Sequence, residues 1–195
     1  MSDHTNKTET LKPAKRETDA QAVEREAYAE ERETHVLESE AESLIKSYAI
    51  ATLAVAAVPV PLFDFVAITA VQLHMIRRLA HLYGKPFGEE IGASVVSALA
   101  STLIGGLGSY ATVGLLRLIP VVGQAASLAG TSITAGAATY AIGRVFENHF
   151  RLGGTLLSFE AAAVKTSLRE HYETGKAVVK HLVRRGEQEA AAAAA

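Results

Sequence analysis

From Leu44 onward the chain alternates long charge-free runs with short polar breaks. Between Ala49 and Ile76 the one formal charge is Asp64. Pro59-Val60-Pro61 interrupts that run, because proline lacks the backbone donor and clashes with the preceding helical turn. Asp64 stands where an N-cap is wanted for a helix running to Tyr83, and Gly84 followed by Pro86 closes it. The pattern predicts helices over 44–58 and 64–83. Residues 91–116 then carry no charge over 26 positions, Arg117 intervenes, and residues 118–143 are charge-free over another 26. A bilayer span needs about 20 mainly apolar residues. Helices over 88–117 and 121–150 are therefore expected to form a transmembrane hairpin, turning at Leu118–Gly123 around Pro120.

These runs are built from small residues. Gly123, Gly130, Gly136 and Gly143 recur every six or seven positions, with Ser127 and Thr134 between them. Small residues along one face let helix backbones approach closely, the main packing device in lipid. The same series would suit a homo-oligomer. A soluble bundle with a tightly packed, alanine-rich core is the alternative the pattern also allows.

The flanks differ from this body. Residues 1–18 are polar and read as a disordered tail, and 19–43 as an acidic, solvated helix. After Gly153-Gly154, residues 155–186 form a basic amphipathic helix. Leu156, Phe159, Val164, Leu168, Tyr172, Val179 and Leu182 fall close to one stripe. Lys165, Arg169, Lys176, Lys180, Arg184 and Arg185 supply its polar side. Such a helix can lie on an anionic leaflet or pack on its own chain, and the pattern leaves both open. Residues 187–195 read as a frayed alanine-rich end.

Charge follows the same division. Residues 1–43 hold 12 acidic and 6 basic side chains, residues 44–195 hold 9 and 13, and the whole chain is −2. No basic patch interleaved with aromatics points to nucleic acid. The absence of cysteine excludes a disulfide framework and a thiolate metal site. The polar, acidic start is not that of a secretory signal, so insertion is expected to use an internal segment. Gly84-Lys85 and Gly175-Lys176 lack the rest of a phosphate-binding loop, and no hydrolase or metalloprotease motif occurs. His74 and His81 share a helix face without a neighbouring carboxylate at ligand spacing. No enzyme, cofactor or metal is expected. Asp64 reads as a helix cap, or as a buried partner for Arg77, Arg78 or Arg144. Gln72 could hydrogen-bond a facing helix.

Taken together, several of these residues resemble a known family. Pro59-x-Pro61-x-x-Asp64 leads into Thr69-Ala70-x-Gln72-x-x-Met75-Ile76-x-Arg78-Leu79-Ala80-x-Leu82-Tyr83-Gly84. This looks like the opening motif of the YcjF-like family, domain of unknown function six-nine-seven. Ile119-Pro120-x-x-Gly123 resembles its central turn. Ala138-Thr139-Tyr140-Ala141-Ile142-Gly143-Arg144, with Phe150 and Gly153 beyond, resembles its closing motif. The resemblance covers about residues 44–154. It implies an all-α domain of the bacterial inner membrane that often accompanies a GTPase, here supplied in trans. Structural or partner-facing roles then fall to Pro59, Pro61, Asp64, Gln72, Arg78, Tyr83, Gly84, Pro120, Gly123, Thr139, Gly143 and Arg144, and the glycine series adds Gly130 and Gly136.

The sequence thus predicts an all-α, non-enzymatic membrane scaffold that recruits a soluble partner, for which the resemblance implies that GTPase. A pore-like glycine-zipper oligomer and a soluble helical adaptor are the alternatives. The cations Arg77, Arg78, Lys85, Arg144 and Arg151 would hold both termini in the cytoplasm.

Overall fold

The computed structural model describes residues 12–56, 63–106 and 123–194, with side chains over 21–56, 66–103 and 132–194. Five α-helices and one 3₁₀ turn, Leu156–Ser158, make up the described structure, without a strand. The helices are α1 (Lys12–Ala56), α2 (Phe63–Leu82), α3 (Glu89–Gly106), α4 (Gly123–Arg151) and α5 (Lys165–Ala193). The chain divides into two compact units, Met1–Glu40 and Ala41–Ala195.

Helix α1 begins at Lys12, inside the segment expected to be disordered, and joins the helices predicted over 19–43 and 44–58 into one. Pro13 lies in its first turn, where proline is tolerated because the N–H it lacks would be unsatisfied anyway. No glycine or proline follows until Pro59. In the first unit every side chain from Gln21 to Val36 is exposed, as the dense Glu and Arg content dictates.

The second unit is built around α4. Gly136, Ala137, Thr139 through Gly143, Val145, Phe146 and Glu147 are all buried, so this stretch of α4 is enclosed by neighbours around its circumference. From α1, Ile45 lies against Gly143, and Ala49 and Leu53 against Gly136, so the two helices run antiparallel. From α2, Gln72 meets Thr139 and Met75 meets Gly143, so α2 runs parallel to α4. Leu73 of α2 approaches Gly92 of α3. On another side α5 seats Gly175 against Ala137 and Tyr140. Ile45, Met75, Ile76, Leu79, Leu99, Phe146 and Phe150 fill the core, each worth roughly 1.5–3 kcal/mol when fully buried.

This arrangement gives no support to the expected transmembrane hairpin. Among the described residues no helix is long and apolar enough to cross a membrane. A helix without charge on any side is either a membrane span or a core helix. In the second charge-free run, Gly136, Ala137 and Thr139 through Gly143 are buried by their own chain. For the first run, only residues 91–106 fall in the described structure. Pro59, Pro61 and Pro120, with both predicted turns, lie outside the described residues.

The C-terminal region also departs from expectation. No α-helix begins at Leu156, where a 3₁₀ turn stands instead. The chain leaves α4 through Gly153, where φ is +89°. Gly153 N–H donates to Phe150 C=O and Gly154 N–H to His149 C=O, the paired bonds of a Schellman stop. The same device ends α2: Gly84 has φ +62°, its N–H donates to His81 C=O, and Lys85 N–H donates to Ala80 C=O. Only after a turn, at Lys165, does α5 start. Its stripe of Leu168, Tyr172, Gly175 and Val179 is buried, which settles the choice between leaflet and own chain for that stripe. The helix continues to Ala193, through the expected frayed end, because alanine is the strongest helix former.

Candidate functional site

Two polar clusters interrupt the apolar interior along α4. The upper one is neutral. Gln72 Nε2 donates to Thr139 Oγ1 at 3.1 Å, and Thr139 Oγ1 pairs with Thr52 Oγ1 at 3.1 Å. Thr52 also donates back to Tyr48 C=O at 2.9 Å. All three side chains are buried, and each comes from a different helix. A buried amide or hydroxyl without a partner is costly, so this cluster fixes the relative register of α1, α2 and α4. Tyr48 adds a second tie, its hydroxyl 2.7 Å from His74 Nδ1.

One turn further along α4 the cluster is charged. Arg144 Nη1 lies 2.7 Å from Glu147 Oε2, and the Glu147 side chain is 6% exposed against 30% for Arg144. Desolvation of a carboxylate demands a close cation, and the i,i+3 spacing on one helix provides it. Two further groups feel this arginine. The Lys46 ammonium, hydrogen-bonded to Glu42, holds that carboxyl below its usual range. Partial burial opposes the effect, and attraction from Lys46 and Arg144 reinforces it. On α5, burial pushes the His171 imidazole down, with Arg144 repulsion adding to the effect and Glu170 opposing it. Arg144 thus couples α4 electrostatically to both α1 and α5.

Below the clusters a third set of contacts shapes the turn after α4. His149 Nε2 lies 2.8 Å from Thr155 C=O, and Thr155 N–H donates to Ser158 Oγ at 2.9 Å. Phe159 stacks on Phe146 with centroids 4.6 Å apart. Lys85 Nζ reaches Gly153 C=O at 3.3 Å, tying the α2–α3 loop to this turn.

Of the residues singled out from sequence, the structure brings Gln72 and Thr139 into contact and sets Gly143 against α1 and α2, while Arg144 pairs with Glu147. Gly136 also faces α1, where a Cβ would stand 3.0 Å from Ala49 C=O. Tyr83 and Gly84 belong to the α2 stop, and Arg78 is exposed on α2. Asp64 is the second residue of α2 rather than its N-cap, and Gly123 and Gly130 lie within α4. Thr52, Glu147, His171 and Gly175 were not anticipated. For Glu147 the signal was available, three residues after Arg144. For Gly175 it was a glycine in the middle of an otherwise strong helix pattern, which usually marks a close approach. Thr52 offered none. Among the described residues there is no group of three or more His, Asp or Glu side chains able to hold a metal.

The fold and these clusters define an all-helical domain whose small-residue central helix is keyed to its neighbours by buried polar contacts. The chain belongs to the family Domain of unknown function (DUF697), whose model matches residues 19–177. That match extends beyond the motif-bearing segment at both ends. The chain is also 45% identical over 139 residues to Magnetosome membrane protein 22 of Magnetospirillum gryphiswaldense, covering 71% of each chain. No solved structure matches.

Proposed function

We propose that this chain is a non-enzymatic, membrane-associated scaffold whose helical bundle sits at the bacterial inner membrane while the acidic start of α1 recruits a soluble partner. The observation that carries the membrane half is the relative at 45% identity, a protein named for a membrane, aligned over 71% of both chains. Recruitment is supported by the exposed stretch Gln21–Val36, where Val23, Tyr28 and Val36 stand out from an acidic surface. Exposed apolar residues on a charged helix suit a protein partner. That the partner is a GTPase, and the role envelope maintenance or stress, rests on the resemblance to YcjF-like proteins.

The glycine-zipper oligomer is less favoured, since Gly136 and Gly143 already face α1 of the same chain. Fractionation of the expressed protein by high salt, alkaline carbonate and detergent tests the membrane half. Recovery in the membrane fraction before the washes supports it, and recovery wholly in the soluble fraction moves the adaptor reading to first place. Deletion of residues 1–40, the first compact unit, tests recruitment: captured partners should be lost, and an unchanged set refutes that half.

A further inference from the structure

We propose that the outward face of the α1–α2 pair, from Ser47 to Ala56 and from Val66 to Ile76, is a lipid-contact surface bordered by Arg77 and Arg78, which take the phosphates of anionic headgroups. This rests on the membrane reading above and names the surface that carries it. The first support is a contrast within one helix. Residues 24–33 of α1 carry seven charges on their exposed surface, whereas Ser47, Ile50, Ala51 and Ala54, equally outward, carry none. A solvated helix face is ordinarily charged, and a charge-free one has another neighbour.

The second support is directional. Lys46 is the last charge of α1, and after Asp64 the next of α2 is Arg77. Because α1 and α2 run in opposite directions along α4, their charge-free stretches lie side by side. Tyr48 and His74, joined at 2.7 Å, mark their shared lower edge. Above it Ile50 is 45% and Val66 67% exposed.

Charge identifies the occupant. Lys46 is engaged by Glu42 and Arg144 by Glu147. Arg77 and Arg78 are exposed and form no ion pair among the described residues. Free cations beside an apolar, outward face match the headgroup and acyl boundary of an anionic leaflet. The other exposed apolar pair, Leu152 and Leu157, lacks this complement: Arg151 is held by Asn148 at 2.9 Å, and the acidic Glu160 stands exposed in the same turn.

Flotation of the full chain with vesicles of phosphatidylcholine, with and without phosphatidylglycerol, tests the proposal. Ile50→Glu/Val66→Glu should lower partitioning about tenfold or more, and Arg77→Gln/Arg78→Gln should remove the preference for phosphatidylglycerol, at roughly fivefold per arginine. Leu152→Glu/Leu157→Glu should bind as the unsubstituted chain does, and circular dichroism checks that every variant is folded. If the Ile50/Val66 variant partitions normally, this face is refuted and the membrane reading stands. If the unsubstituted chain binds neither vesicle, both fall. If it is a lipid-free dimer that Ile50→Glu/Val66→Glu splits, the face joins two copies and the proposal is overturned.

Discussion

Gly175 sits mid-helix in α5 with its Cα face on α4. A Cβ there would lie 2.9 Å from the Ala137 carbonyl oxygen and 3.2 Å from Ala137 Cα. Both are backbone atoms, so no side-chain rotation relieves the contact. Gly186, eleven residues on in the same helix, is open: a Cβ added there would meet nothing within 4 Å. Replacing a helix-interior glycine by alanine gains about 0.8–1 kcal/mol of intrinsic propensity. At Gly186 that gain should appear whole, raising the melting temperature by about 2–4 °C for a chain of this size. At Gly175 it competes with overpacking, which costs about 1–3 kcal/mol. The net is a loss of up to about 2 kcal/mol, and Gly175→Ala should melt several degrees below Gly186→Ala. Thermal and urea unfolding followed by circular dichroism measure both. Gly175→Ala as stabilising as Gly186→Ala would refute the close approach of α5 to α4.

Three further outcomes are expected. Thr139→Val leaves the Gln72 amide without its acceptor and should cost about 1–3 kcal/mol, whereas the added Gln72→Leu should recover part of that loss; a double-mutant cycle in urea that shows no coupling would dissolve the cluster. Arg144→Met leaves the Glu147 carboxylate buried without its arginine. Breaking a fully buried pair costs about 3–5 kcal/mol, and partial exposure of Arg144 should bring the loss toward the lower end, read as a shift in urea midpoint. The His171 imidazole is depressed in the folded state, so below about pH 6.5 the unfolded chain binds more protons and stability falls with pH until the folded group also titrates. Urea midpoints at pH 7.5 and 5.5 should therefore differ less for His171→Gln than for the unsubstituted chain, and an equal difference would exclude this histidine.

Much of the helical content was written locally. Gly84 and Gly153 announce their stops through the positive φ that a Schellman turn requires, and Phe63–Leu82 lies within a residue of the helix expected there. Gln72, Thr139, Gly143 and Arg144 stood out by their place in motifs, although nothing local said that Gln72 meets Thr139 or that Gly143 lies against α1 and α2. Where α5 starts was less legible, because a stripe such as Leu156, Phe159 and Val164 records burial without recording whether a turn intervenes. Leu156 is indeed buried, but in the 3₁₀ turn held by Thr155 and Ser158.

By itself the sequence determined that this chain is helical, where charge is withheld, and which small residues permit close packing, since these follow from local propensity and composition. What surrounds a charge-free helix was decided only by the tertiary structure. Freedom from charge along Gly123–Gly143 satisfies lipid and protein interior equally, because both penalise an unpaired charge. The neighbours that meet residues 136–143 of α4, Ile45 and Ala49 of α1, Gln72 and Met75 of α2 and Gly175 of α5, lie far from it in the chain, and only folding brings them there.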